Sequence, residues 1–162
     1  MKKNEPFKNI SVNYSYSDIN SVGVSYEIGT IGQKSSFIIN AGYTFISFDN
    51  NGINHTGEGR SFDLGMRFYL SKNSIYDKLY IESLLWSYTR LKFSDANYSG
   101  VYEYISPFNP NIGYKFKLGK KFTIDPSVGC TWKIEIMSRG DVDNRSFNNF
   151  VGKAGIKVGY QF

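Results

Sequence analysis

A two-residue alternation of apolar with small or polar side chains runs through most of the chain. Ile10, Val12, Tyr14 and Tyr16 alternate with Ser11, Asn13 and Ser15, and Val22, Val24, Tyr26 and Ile28 with Gly23, Ser25 and Glu27. Phe37, Ile39, Ala41, Tyr43 and Phe45 alternate with Ile38, Asn40, Gly42 and Thr44, and Phe62, Leu64, Met66, Phe68 and Leu70 with Asp63, Gly65, Arg67 and Tyr69. Leu79, Ile81, Ser83 and Leu85 face away from Tyr80, Glu82, Leu84 and Trp86, the least regular of the segments. Ile112, Tyr114, Phe116 and Leu118 then oppose Asn111, Gly113, Lys115 and Lys117. Phe122, Ile124, Val128, Cys130, Trp132 and Ile134 oppose Thr123, Asp125, Ser127, Gly129, Thr131 and Lys133. Phe150, Ala154, Ile156, Val158, Tyr160 and Phe162 oppose Lys153, Gly155, Lys157, Gly159 and Gln161. Period two puts successive side chains on opposite faces of a strand, so the pattern predicts eight strands.

Most of these segments run to about 8–14 residues, beyond the ~5–6 of ordinary globular strands and close to the ~9–11 of tilted membrane strands. The connections fall into two classes. Gly29–Lys34, Ser71–Asp77 and Gly119–Lys121 are short; Phe48–Gly59, Ser94–Tyr104 and Met137–Ser146 are longer and polar, with Ser17–Ser21 the short member of that set. Short and long connections alternating along a chain place the two classes at opposite ends of an up-and-down barrel. The expected fold is therefore all-β, an eight-stranded antiparallel up-and-down transmembrane β-barrel. It spans 10–162 as one domain after a short segment 1–9.

The polar face decides which side is inside. It is rich in Gly, Ser, Thr and Asn rather than crowded with Lys and Glu, which suits a cramped lumen better than a water-facing exterior. Glu27, Arg67, Glu82, Lys115, Asp125 and Lys157 lie at similar depths, a layer of three acids and three bases. Charges turned into a dry lumen have to pair, so the layer is expected to plug the barrel. On the apolar face, Phe116, Phe122, Tyr160 and Phe162 fall near the short turns, and Tyr14, Tyr16, Phe45 and Trp132 toward the longer connections. Two interfacial aromatic girdles have this distribution.

Composition narrows the remaining classes. Among 162 residues, 41% are hydrophobic and 20% charged, which excludes ordinary disorder. One Cys excludes an intramolecular disulfide, and one His excludes a multi-histidine metal site. The net charge of +5 comes from scattered Lys and Arg, so nucleic acid is not an expected partner. Lys2 and Lys3 are followed by Asn4, Glu5, Pro6, Phe7 and Lys8 rather than an apolar stretch, so no signal peptide is read in this chain. An outer-membrane destination then implies that one was removed.

Two stretches carry a family resemblance. Residues 113–129, from Gly113 through Lys120-Lys121 and Asp125-Pro126 to Gly129, resemble the penultimate hairpin of small outer-membrane β-barrels of Gram-negative bacteria, especially the Bacteroidetes type. Residues 151–162, Val151-Gly-Lys-Ala-Gly-Ile-Lys-Val-Gly-Tyr-Gln-Phe162, resemble their closing strand. The resemblance implies a bacterial outer-membrane location and a Phe162 that serves as the signal read by the barrel-assembly machinery. It is almost silent on activity. The lipid face is expected to anchor the barrel among outer-membrane lipids, and the connections 48–59, 94–104 and 137–147 to carry any contact, with host surface, lipopolysaccharide or a larger envelope complex. No cofactor is expected.

Candidate chemistry is sparse. His55, in Asn54-His55-Thr56, has Ser61 and Asp63 as conceivable partners of a lipid A-modifying barrel enzyme, but nothing in the spacing makes them meet. A solvated loop histidine is the expectation. Arg139-Gly140-Asp141 in the last long connection has the composition of an integrin-docking tripeptide. Asp141, Asp143 and Asn144 have that of a weak calcium loop, without the Gly and distal Glu it needs. Cys130, beside Trp132 on the apolar face, reads as inert packing. Gly57-Glu58-Gly59 lacks the Lys and the helix of a phosphate loop. The expected function is a non-enzymatic structural or interaction protein. The alternatives are the lipid A-modifying enzyme and a soluble lipid- or small-ligand-binding barrel with Phe37, Phe62, Met66 and Trp132 lining its cavity.

Overall fold

β-Branched and aromatic residues at every second position leave a backbone that satisfies its hydrogen bonds only by pairing sideways. In the computed structural model, which describes residues 6–30, 34–50, 53–70, 78–95, 98–142 and 147–162, that pairing runs full circle. The strands are β1 (Pro6–Tyr16), β2 (Asn20–Thr30), β3 (Ser35–Asn50), β4 (Ile53–Tyr69), β5 (Lys78–Asp95), β6 (Tyr98–Leu118), β7 (Phe122–Gly140) and β8 (Phe150–Gln161). Each pairs antiparallel with its neighbours in sequence, and β8 returns to β1 from Asn9↔Gln161 to Tyr16↔Ala154. The result is a closed eight-stranded barrel in sequential order. Lys8 and Phe162 exchange both backbone hydrogen bonds, at 3.2 and 3.0 Å, and so complete the seam.

The apolar face points outward. Val12, Tyr16, Phe122, Val128 and Phe162 are each more than half exposed, while Asn9, Ser11, Ser25, Glu27 and Asn40 on the opposite parity are buried. Phe37, Phe62 and Trp132, which a soluble ligand-binding barrel would turn into a cavity, stand exposed on the outer wall. That alternative is overturned. In place of a cavity-lining face, the barrel carries an apolar belt.

Three features differ from the pattern-based expectation: where the first strand begins, how far the hairpins stay paired, and which way Trp86 faces. The first strand begins at Pro6, not Ile10, because Phe7 turns inward against Tyr69 and Tyr80 and is fully buried. The connections expected at 48–59 and 94–104 are mostly paired strand. Phe48↔His55, Asp49↔Asn54 and Asn50↔Ile53 continue the β3–β4 ladder, and Lys92↔Val101 to Asp95↔Tyr98 that of β5–β6. β7 likewise stays paired up to Gly140↔Gly100. The reason is an inversion of parity. Through Phe45 the apolar residues of β3 other than Ile38 face out; from Ile46 onward the buried ones, Ile46 and the half-buried Phe48, face in, and Ser47 and Asp49 take the exterior. Leu91, Phe93, Tyr98 and Tyr102 do the same on β5 and β6.

The third difference is Trp86. The ladder pairs Leu64 with Trp86 but Gly65 with Leu84, so Leu85 is an extra residue in β5. Leu85 and Trp86 consequently both face outward, and Trp86 leaves the polar face on which strict alternation put it. β6 breaks alternation in the same way, with irregularities between Glu103 and Tyr104 and between Ile105 and Phe108, around Pro107.

Inside, three glycines face three aromatic rings directly across the ladder: Gly29 faces Phe7, Gly57 faces Phe93 and Gly113 faces Tyr80. A Cβ at any of them would run into the ring opposite. Gly113→Val is therefore expected to cost ~1–3 kcal/mol and to lower the denaturant midpoint. Gly152→Val, with nothing within 4 Å of a new Cβ, should leave it unchanged. Equal midpoints for the two variants would mean that the rings are not seated on the glycines.

Candidate functional site

The interior is stacked in three layers. Nearest the chain termini, six side chains from six strands converge: Glu27 (β2), Arg67 (β4), Glu82 (β5), Lys115 (β6), Asp125 (β7) and Lys157 (β8). Strand parity turns all six inward, and all but Lys157 are nearly inaccessible. Arg67 is the hub. Its Nη1 lies 2.8 Å from Asp125 and 3.2 Å from Glu27, while Nε and Nη2 reach Glu82 at 3.1 and 2.7 Å. Lys115 donates to Glu27 at 2.6 Å, and Lys157 to both oxygens of Glu82 at 3.0 and 3.1 Å. Asp125 and Lys157 are direct partners across the ladder, yet each pairs elsewhere, so the network crosses the barrel instead of following its wall.

Three further side chains complete this layer. Ser36 and Tyr69 donate to Glu27 at 2.6 and 2.5 Å, and the Arg67 guanidinium sits 3.8 Å over the Tyr80 ring. Tyr69 and Tyr80 had a sequence signal, since they fall on the polar parity of β4 and β5. Phe7 and Ser36 carried none.

The middle layer is a polar chamber of about 120 Å³ lined largely by hydroxyls and amides, with Asp63 and Lys153 among them. Asp63 accepts from Ser87 at 2.5 Å and from Asn40 at 3.4 Å, and Lys153 donates to Asn109. Above it, at the hairpin end, the inward apolar residues form a second core: Ile19, Ile46, Leu91, Phe93, Tyr98, Tyr102, Tyr104, Val142 and Phe147, with Phe48 against them. Tyr102 and Phe147 stack with centroids 4.5 Å apart. Lys133 pairs with Asp18 and holds the β1–β2 turn over this cluster. Ion pairs at one end and aromatic rings at the other thus bracket the chamber.

The outer wall carries the eight aromatic residues singled out above. Phe116, Phe122, Tyr160 and Phe162 lie toward the termini, and Tyr14, Tyr16, Phe45 and Trp132 toward the hairpins, all exposed. Phe122 packs edge-on to Tyr160 at 5.5 Å, across the β7–β8 ladder next to the seam.

No family model and no curated protein sequence matches this chain. Solved structures do. The N-terminal β-barrel domain of OprF from Pseudomonas aeruginosa aligns over 99% of this chain and 100% of its own, with TM-score 0.64 and 10% identity. The attachment invasion locus protein Ail of Yersinia pestis, crystallised with the heparin analogue sucrose octasulfate, aligns over 98% and 99%, with TM-score 0.58 and 19% identity. A second Ail structure gives TM-score 0.58 and 17% identity over 99% of this chain and 100% of that one. The fold is that of the small outer-membrane barrels.

On this barrel the candidate catalytic residues do not assemble. His55 is buried, not solvated: its ring lies 4.4 Å from that of Tyr98 and 5.6 Å from that of Phe48, inside the hairpin-end core. Its acidic neighbour is Asp95, 3.5 Å from Nδ1, on the adjoining strand. The Thr56 backbone N–H, donating to Asp95 at 2.8 Å, holds that carboxyl below the usual range. Ser61 and Asp63 sit six and eight positions down β4, roughly 20 Å or more from His55 at ~3.3 Å per residue. The Arg139-Gly140-Asp141 tripeptide is also committed. Gly140 takes a left-handed φ of 78°, and Asp141 accepts from the Ser99 backbone N–H at 2.9 Å, so its carboxylate is tied to the neighbouring strand. Asp143 and Asn144 lie outside the described residues. Cys130 is partly covered on the outer wall.

The charge layer makes a quantitative prediction. Arg67→Met leaves Glu27, Glu82 and Asp125 short of their shared cation and should cost ~3–5 kcal/mol in denaturant unfolding. Adding Glu82→Gln to that variant should recover part of the loss, because one stranded charge goes with it. Strictly additive costs would show that the two residues are not coupled.

Proposed function

We propose that this protein is an integral bacterial outer-membrane β-barrel with a structural or interaction role and no catalytic one. In this reading the apolar belt meets lipid, the lumen is plugged, and the hairpin end faces the exterior. The observation that carries it is the parity inversion. Over the belt, Val12, Val24, Ile39 and Val158 face out and small polar residues face in. Above Phe45 and Trp86 the arrangement reverses into that of a water-soluble sheet, with Phe93 and Tyr102 inside and Asp49, Arg90 and Lys92 outside. A chain bathed in one solvent has no cause to reverse its faces partway along the same strands; a chain crossing from hydrocarbon to water does.

Outer-membrane lipids and lipopolysaccharide are the proposed surroundings of the belt, and the barrel-assembly machinery, reading Phe162, the proposed partner in biogenesis. The extended β3–β4 and β5–β6 hairpins, with the β7–β8 connection, are the surfaces offered to a larger envelope complex. The hairpin 113–129 and the closing strand 151–162 support a Bacteroidetes-type source. The closed lumen, bracketed by Arg67 and by the Phe93–Phe147 cluster, favours a barrel that does not conduct.

The experiment is refolding from denaturant into detergent micelles, followed by gel migration with and without boiling. The folded chain should migrate differently unboiled, precipitate when detergent is withdrawn, and give no steady current in planar bilayers. A chain that stays soluble in plain buffer with a single band would sink the membrane reading. Regular conductance steps would replace the plug with a channel.

A further inference from the structure

The outer wall of β4–β6 carries a cationic groove just above the aromatic belt. Arg60 and Arg90 are direct partners across the β4–β5 ladder and both face outward, with Lys92 next to them opposite Glu58. Directly opposed side chains on a ladder have Cβ atoms only ~4.5–5.5 Å apart, and like charges there repel. A local acid relieves the repulsion only on the Arg90 side. Glu103 takes the far side of Arg90, its Oε1 3.2 Å from Nε, while Tyr88 donates to the same carboxylate at 2.8 Å. Glu58 accepts the hydroxyl of Tyr43. Among the described residues neither Arg60 nor Lys92 makes an ion pair.

These side chains border a groove of about 600 Å³ lined by Glu58, Arg60, Phe62, Tyr88, Arg90 and Lys92. Its depth is informative. One rung toward the termini from the Arg60–Arg90 pair, Phe62 faces Tyr88; one rung further, Leu64 faces Trp86, which stacks on Tyr88 at 11°. Aromatic residues of this kind mark the headgroup level of a bilayer. The paired guanidiniums therefore stand where lipid phosphates lie, with an apolar floor descending into the acyl region.

We propose that this groove is a binding site for a phosphorylated glycolipid of the outer leaflet, its phosphate taken between Arg60 and Arg90 and its acyl chains running down over Phe62 and Trp86. The proposal rests on the outer-membrane reading above. Guanidiniums suit a phosphate because their planar donor forks match its oxygens, and two facing forks gain an anion that cancels their repulsion.

The test uses the full chain refolded in micelles, with lipid retention measured by native mass spectrometry. Bisphosphorylated lipid A should be retained well above its dephosphorylated form, and added salt should weaken it. Arg60→Gln/Arg90→Gln should lose about 30-fold in affinity, taking each basic side chain near the surface at its usual worth. Lys120→Gln, in the turn at the opposite end, should lose nothing. Should the double variant fail to fold, Arg60→Gln alone, which breaks no ion pair, should lose about five-fold. Equal retention of the dephosphorylated lipid, or unchanged affinity in the folded variants, overturns the site. So does displacement by millimolar inorganic phosphate, which would make it a free-anion site. Binding of a heparin fragment lost in the same variants while lipid retention is unaffected would assign the groove to a sulfated polysaccharide instead. A chain that shows no heat-modifiable form fails the outer-membrane reading; a heat-modifiable chain without phosphate preference fails only this proposal.

Discussion

In the proposed membrane setting every backbone N–H and C=O in the belt has to find its partner within the protein, because an apolar surrounding supplies none. The β1–β8 seam meets that demand, and the rest of the architecture follows from it. Closure with eight strands leaves an interior only wide enough for side chains. The inward parity must then be filled with small residues, with rings seated over glycines, or with long charged side chains that span the lumen. The Arg67 layer is the third of these solutions.

Among the described residues the interior of the belt holds only a small apolar cluster, Phe7, Tyr69 and Tyr80, with Ile38 and Leu84 also buried. Most apolar residues are committed to the outside there, so much of the cohesion across the lumen comes from Arg67 bridging Glu27, Glu82 and Asp125, with Lys115 and Lys157 balancing the acids. Removing any one member of such a network leaves its partners' charges buried and uncompensated. At the hairpin end the logic reverses, and Phe93, Tyr102 and Phe147 pack as they would in a soluble protein. One chain therefore contains two cores of opposite character, joined through a polar chamber.

That duality explains which parts of the molecule were legible. The eight strands, their order, the outward apolar face and the six charged residues of the layer are all consequences of period two, and each was readable from residue identities. The hairpin extensions were not. At Ile46 the apolar parity switches faces, and a pattern that changes phase while gaining Asp49, Asn50 and Asn54 looks like a polar loop. Leu85 hid Trp86 in the same manner, since one extra residue shifts every later side chain to the other face. His55 looked solvated because its immediate neighbours are polar; its burial depends on Tyr98 and Phe48, which come from other strands.

Residue order alone sets the period, and the period determines strand count, closure and which side chains share a face. It also determined the charge balance of the layer, three acids against three bases at matching depth. Who pairs with whom emerges only in the folded barrel: Asp125 with Arg67 rather than with Lys157 beside it, and Arg60 facing Arg90 without an intervening acid. Local sequence sets the direction of a side chain through the pleat. Its distance to a partner depends on barrel stagger and bulges, which sum register over several strands and are written in none of them alone.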